Sequence, residues 1–220
     1  MKKLYYFAAI AAFASVLFMS CEDPNNSGTK TDPSTTDEGV IINGVKWATR
    51  NIAAPGHFAD TPESAGMFYQ WNRKIGWSST NPMTNSNGGT TWDSTIPDGT
   101  EWETGNDPSP AGWRIPTLSQ IENLGNTANV SYEWTTQNGV YGRLYTDLKN
   151  KNTLFLPASG YRDRSDGALN SIGVGGNYWS STYNDIANTA YFVNFGSGRI
   201  IQNRSHNPKA YGYSVRCVAE

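Results

Sequence analysis

The stretch from Gly175 to Val218 constrains the fold more than any other part of the chain, because it carries three β signals in one run. An aromatic segment, Asn177-Tyr178-Trp179-Ser180-Ser181-Thr182, comes first. Ala190 to Phe195 and Arg199 to Asn203 then flank Gly196-Ser197-Gly198, and Tyr211 to Val218 reads as a terminal strand. Glycine tolerates the positive φ that short hairpin turns require, so Gly-Ser-Gly predicts a hairpin. Side chains alternate across a strand. Val193 and Phe195 are apolar and share a face with Tyr191, which predicts that face inward and Phe192 and Asn194 outward. On the return strand Ile200 is expected in the core, and Arg199, Ile201 and Asn203 on the outer face.

Upstream, Asn43-Gly44 marks a turn between Ile41-Ile42 and a strand from Val45 to Ile52. Met67 to Trp71, Val140 to Tyr145 and Thr153 to Ala158 are strand candidates, and Asn126 to Glu133 is a further strand or turn. Trp77 to Gly105 is polar, glycine-rich and aperiodic, and Ser159 to Gly176 is punctuated by glycine. Both are expected to be loops. One helix is signalled clearly. Thr117 with Gln120 three residues on forms a capping box, Pro116 marks the boundary, and Gly125 can end it. Leu118, Ile121 and Leu124 fall on one face. Trp-Ser-Ser-Thr occurs at Trp77 and at Trp179, but the flanks differ and no repeat is assigned.

The N-terminal region differs in kind. Met1-Lys2-Lys3 is a basic start, and Leu4 to Phe18 is uncharged and apolar, as in a signal peptide. It is shorter than the ~20 residues of a spanning helix. Phe18-Met19-Ser20-Cys21 resembles the lipobox of bacterial lipoproteins, so residues 1–21 are expected to be a signal peptide with Cys21 as the acylated, palmitate-type anchor. Several acyl chains on one residue hold a protein stably, at about 0.8 kcal/mol per buried CH₂. Residues 22–39 are polar and are expected to form a disordered tether. Glu22 and Asp23 fit either a surface-export signal or a plain polar linker. Residues 40–220 are long enough for one domain with a real core.

Formal net charge is −2 and there is no basic stripe, which gives nucleic acid no footing. Trp and Tyr are plentiful, as in a loop-rich extracellular domain with aromatic anchors. The two histidines, His57 and His206, lie in no nucleophile motif. Asp93, Asp98, Glu101, Glu103 and Asp107 match no calcium-loop spacing and read as a solvated acidic loop. In Arg162-Asp163-Arg164-Ser165-Asp166-Gly167 the carboxylates are expected to serve a turn and to pair with arginine. No residue is assigned a catalytic role, and no metal or cofactor is expected.

Several motifs in order resemble the Fibrobacter succinogenes major paralogous domain. They are Val45-Lys46-Trp47-Ala48-Thr49-Arg50-Asn51, Asn106-Asp107-Pro108-Ser109-Pro110-Ala111-Gly112-Trp113-Arg114-Ile115-Pro116-Thr117, Tyr178-Trp179-Ser180-Ser181-Thr182 and Ser214-Val215-Arg216-Cys217-Val218. The resemblance implies an α+β, C-type-lectin-like domain of short antiparallel strands, one or two short helices and long loops. It implies a Bacteroidetes surface lipoprotein of the outer membrane with no established catalysis. In such folds the first and last strands lie side by side, which places Trp47 to Asn51 beside Ser214 to Val218. Relatives carry a cysteine where this chain has Ser109, paired with the one matching Cys217. Cys217 is therefore expected to be a free, buried thiol.

The C-terminal stretch also resembles the variable region of diversified lectin-fold proteins, in which a fixed frame displays changeable residues. The frame would be Trp179, Tyr191, Val193, Phe195, Ile200 and Val215. The display would be Tyr183, Asn184, Asp185, Asn188, Phe192, Asn194, Arg199, Ile201, Asn203, Arg204, His206 and Asn207. The expected function is binding or adhesion to a glycan or protein ligand. The alternatives are a pilus-tip or structural subunit, with fimbrial subunits as partners, or a cryptic enzyme related to formylglycine-generating folds. Two-cysteine chemistry of that kind is disfavoured, because Cys217 would be alone in the mature chain. The Glu-Pro-Asn and Gln-Pro-Asp calcium motifs of sugar-binding lectins are missing.

Overall fold

The computed structural model describes residues 34–186 and 188–220, without the side chains of 199–204. The expected signal segment, Cys21 and the tether up to residue 33 lie outside the described residues.

Asn43 and Gly44 take φ values of 48° and 78°, the left-handed pair a two-residue hairpin needs. They join β1 (Val40–Ile42) to β2 (Val45–Trp47). The strand expected to reach Ile52 ends at Trp47, but its backbone runs on beside the C-terminal segment. Ala48 N–H donates to Cys217 O at 2.9 Å and Ile52 N–H to Val215 O at 3.1 Å. β3 (Met67–Tyr69) pairs with β4 (Gly76–Ser78). The long loop that follows is irregular apart from single bridges at Asn85 and Glu101 and a 3-10 turn at Thr104–Asn106.

β5 (Trp113–Arg114) leads into α1 (Leu118–Leu124). The capping box is formed: Gln120 N–H donates to the Thr117 hydroxyl, and Thr117 N–H donates to Gln120 Oε1 at 3.0 Å. Ile121 and Leu124 are buried, as the stripe requires. β6 (Val130–Gln137), β7 (Val140–Asp147) and β8 (Thr153–Pro157) form a meander. Its first turn is again Asn-Gly, with Asn138 at φ 48° and Gly139 at φ 80°. The region expected to be loop from Ser159 to Gly176 contains a small hairpin of β9 (Tyr161–Arg162) and β10 (Leu169–Asn170). β11 (Gly175–Tyr183), β12 (Thr189–Gly196) and β13 (Arg199–Pro208) make the C-terminal sheet, in that order.

The terminal strand is shorter than expected: only β14 (Val218–Ala219) forms a ladder. Gly212, Tyr213 and Ser214 instead make single bridges to Arg162, Tyr69 and Tyr178, three different segments. β14 lies between β2 and β5 in a four-stranded sheet ordered β1-β2-β14-β5, with Val218 opposite both Trp47 and Arg114. The last strand therefore lies beside β2, and the Trp47 to Asn51 segment beside Ser214 to Val218, as expected. All named strand pairs are antiparallel, so the described residues form a set of small antiparallel sheets with one short α-helix.

Three further expectations are corrected. The hairpin turn between β12 and β13 is Ser197-Gly198, with Gly196 opposite Arg199, and neither glycine takes the left-handed φ. Phe192 is not displayed. β12 is the central strand and is covered on both faces: Val193 and Phe195 pack with Tyr178, Ile121 and Leu124, while Ala190 and Phe192 pack with Trp71, Trp179 and Tyr213. Alternation in a strand covered on both sides does not mark an outer face. The expected tether also ends too late. The carboxylate of Asp37, with its side chain 1 % exposed, pairs with Arg50 Nε at 3.2 Å. It also accepts from Thr49 N–H at 3.1 Å and from Gly39 N–H at 2.8 Å, so the folded region begins before residue 40.

Candidate functional site

The C-terminal sheet separates its residues by register. Trp179 lies opposite Phe192, and Tyr183 opposite Ala190, which in turn faces Asn207. Cross-strand partners share a face, so Tyr183, Phe192 and Asn207 belong to one side of the sheet. Tyr213 covers that side, with ring centroids 4.4 Å from Trp179 and 4.8 Å from Phe192. Asn207 Nδ2 donates to the Tyr213 hydroxyl at 2.6 Å. Tyr211 stacks on Tyr213 at 5.6 Å with planes 18° apart, and Tyr161 meets both edge-on at 5.8 and 6.1 Å. The Arg164 guanidinium lies 5.9 Å over the Tyr211 ring. Burial pushes the Tyr211 phenol up, Asp163 adds to this and Arg164 opposes it.

Gly212 makes the Tyr211–Tyr213 pairing possible. A Cβ there would sit 2.9 Å from Trp92 Cη2 and 3.1 Å from Arg162 Cβ, so the backbone passes closer to these neighbours than another residue permits. The outcome is a bank of rings whose inner members, Trp179, Phe192 and Tyr213, are buried and whose outer members, Tyr161, Tyr183 and Tyr211, are half-buried.

At one end of this bank Lys209 is buried. Its ammonium donates to Gly99 O at 2.8 Å and lies 5.3 and 5.6 Å over the rings of Trp71 and Tyr183. Burial lowers its pKa, with Asp98 opposing. The long loop is pinned there by further side chains. Gln70 Nε2 donates to Asp93 O at 2.7 Å, Asn72 Nδ2 to Asp98 O at 3.1 Å, and Trp92 Nε1 to Arg164 O at 3.0 Å. Each satisfies a loop carbonyl that has no strand partner.

The expected display residues are dispersed. Asn184 is buried and serves its own turn, accepting from Ile186 N–H at 3.1 Å. Asp185 and Asn188 are exposed, and Asn188 takes φ 64° in that turn. Asn194 is half-buried and donates to Asn177 Oδ1 at 2.7 Å. His206 is exposed and lies opposite Tyr191, meeting it edge-on at 6.4 Å. Alternation puts that pair on the other side of the sheet from Asn207. The side chains of Arg199, Ile201, Asn203 and Arg204, and of Ile200 in the frame, lie outside the described residues. Trp179, Val193, Phe195 and Val215 are buried as a frame must be. Tyr161, Tyr211, Lys209 and Trp71 join the site without having been singled out for it. The signal available for the first two was a tyrosine-glycine-tyrosine run next to the buried terminal segment.

Among the described residues, no group of three or more His, Cys, Asp or Glu side chains could hold a metal. His57 faces Pro55 O at 3.1 Å within its loop. Asp163 caps a turn by accepting from the Ser165 hydroxyl at 2.6 Å and from Ser165 N–H at 2.9 Å, and the hydroxyl bond leads in lowering its pKa. Asp166 does the same for Ala168 N–H at 2.9 Å. The ion pairs expected between these two aspartates and arginine are not formed; among the described residues the ion pairs are Arg50–Asp37 and Arg73–Asp93. The site offers aromatic surface, amides and a guanidinium, which is recognition chemistry.

A family described as a domain of unknown function, DUF8237, matches residues 129–218, from the start of the meander to β14 and less than half of the chain. The match takes in both three-stranded sheets and the whole ring bank from Tyr161 to Tyr213. No curated protein and no solved structure matches the chain.

Proposed function

We propose that this chain is a lipid-anchored outer-membrane surface protein whose C-type-lectin-like domain acts as a binding or adhesion module. The observation that carries the reading is the ring bank. Tyr161, Tyr183 and Tyr211 are held half-buried by a packed second layer, with Asn207 and Arg164 in contact with it. Rigid aromatics give contact area at low entropic cost, and amide and guanidinium groups add directional bonds. The pairing of β14 with β2, near the start of the folded region, supports the lectin-like comparison, and the apolar segment ending at Cys21 supports the anchor.

The test uses full-length chain, fluorescently labelled, on arrays of glycans and extracellular-matrix proteins. Tyr183→Ser, Tyr211→Ser and Arg164→Ala combined should abolish the signal on at least one arrayed ligand that the parent binds, while the melting transition stays within about 2–4 °C, the shift expected for about 1 kcal/mol in a domain of this size. An undiminished signal from the folded triple variant rejects the ring bank as the site. Cys21→Ala should release the protein from membranes, and a fatty-acid label that persists in this variant counts against the anchor.

A further inference from the structure

The eight tryptophans are unequally placed. Trp47, Trp71, Trp77, Trp92 and Trp179 are buried, and Trp102, Trp113 and Trp134 are half-buried. Two of these three, Trp102 and Trp113, line one groove of about 410 Å³ beside β5 and Ser181. That volume lies in the usual range of small-ligand sites. Both indoles are fixed from behind. Trp102 meets Trp71 edge-on at 5.5 Å and donates Nε1–H to Asn106 O at 3.0 Å, and Trp113 meets Phe58 edge-on at 5.6 Å. Half-exposed indoles held this rigidly offer contact area without further loss of side-chain freedom.

The polar lining is balanced. Lys74 and Arg114 bring two positive charges, and Asp107 and Glu220 bring two negative ones. Arg114 uses Nη1 on Gln120 Oε1 and Ile115 O, which leaves Nε and Nη2 as donors. Asp107 accepts one backbone N–H on each oxygen, from Ser109 at 2.8 Å and Ile115 at 3.2 Å, which leaves acceptor capacity on both. The Ser181 hydroxyl can donate or accept.

We propose that this groove binds a neutral saccharide of one or two rings. A pyranose presents a C–H face that packs on an indole and a rim of hydroxyls that both donate and accept, which matches fixed indoles among mixed, charge-balanced groups. A charged ligand would meet one opposed pair of like charges, and an apolar one would strip water from Lys74 and Arg114 without replacing their bonds. The groove is walled by residues outside the ring bank of Tyr161, Tyr183 and Tyr211, and the inference does not rest on that site.

The test titrates the full chain with mono- and disaccharides of glucose, galactose, mannose, xylose and N-acetylglucosamine, read by tryptophan fluorescence and calorimetry. Glucuronate and glucosamine serve as charged comparators. At least one neutral sugar should bind with Kd tighter than about 1 mM, and Trp113→Leu should weaken it at least about tenfold. Ala111→Arg, which places a long side chain at an exposed groove position without touching the core, should do the same with an unchanged melting transition. It decides the matter if Trp113→Leu fails to fold. The combined Tyr183→Ser and Tyr211→Ser variant should bind the sugar as the parent does, which separates this groove from the ring bank. The proposal is overturned if no neutral sugar binds, if a charged comparator binds more tightly, or if Ala111→Arg leaves binding intact.

Discussion

The Ser109 hydroxyl lies 3.0 Å from the Cys217 thiol across 108 residues of sequence. The expected free, buried cysteine is observed at Cys217, and the Ser109 hydroxyl is its hydrogen-bond partner. Ser109→Cys, oxidised with glutathione disulfide, should close this loop and raise stability by about 2–4 kcal/mol. Thiol counting and the denaturant midpoint measure it, and an unchanged midpoint after verified oxidation would reject the geometry.

Cys217 itself should be chemically silent in the parent. Burial pushes its pKa up, the Ser109 hydrogen bond opposing, so the nucleophilic thiolate is suppressed. Iodoacetamide at pH 8 should label it only after unfolding. Labelling of the native chain at the rate of a free thiol would contradict this burial.

Arg216 fills the interior beside the first strand. Its Nε donates to Asn51 Oδ1 at 2.9 Å, and its terminal nitrogens reach the carbonyls of Ala48, Thr49 and Pro62. A lysine ammonium cannot span these acceptors. Arg216→Lys is expected to cost about 2–3 kcal/mol, read by urea unfolding, and a midpoint equal to the parent's would show that the network contributes little.

Asp147 links two turns far apart in sequence. Its carboxylate accepts from the N–H groups of Asn43 and Lys149 at 2.8 Å and of Asn150 at 3.1 Å. The Asn43 bond leads in lowering its pKa below the ordinary 3.8. The folded-state value is depressed, so its stabilisation is complete above that ordinary value and is lost as pH falls through the depressed one. Between about pH 5 and pH 2 the parent should lose more stability than Asp147→Asn. Parallel acid limbs for the two proteins would remove Asp147 from the account.

Phe192 and Tyr191 are adjacent and should behave differently. Phe192→Ala empties a site between Trp179 and Tyr213 and should cost about 3–5 kcal/mol. Tyr191→Ala, at a half-buried position against the exposed His206, should cost less. Equal costs in thermal unfolding would place Tyr191 in the core as well.

What could be read from the residues alone was local. The Asn43-Gly44 turn and the Thr117 capping box each depend on side chains within a few positions, and both formed as expected. Alternation misplaces Phe192 because an apolar run in a doubly covered strand has no outer face for it to reveal. Asp37 carries no local signal of order because its partners, Thr49 and Arg50, lie on a different segment. The ring bank is half legible: Trp179 stands in a marked motif and Tyr183 among the display residues, but Tyr161 reaches them only through the short β9–β10 hairpin inside a glycine-rich stretch.

The place of β14 between β2 and β5 bears on the order in which the molecule can be completed. A chain emerging from its N-terminus presents β1, β2 and β5 long before Val218 exists to join them. Until then the edge of β2 that will receive Val218 stays open, as does that of β5, and open edges invite pairing with other chains. β14 thus acts as a closing wedge, and a nascent domain held short of it keeps an open slot between β2 and β5.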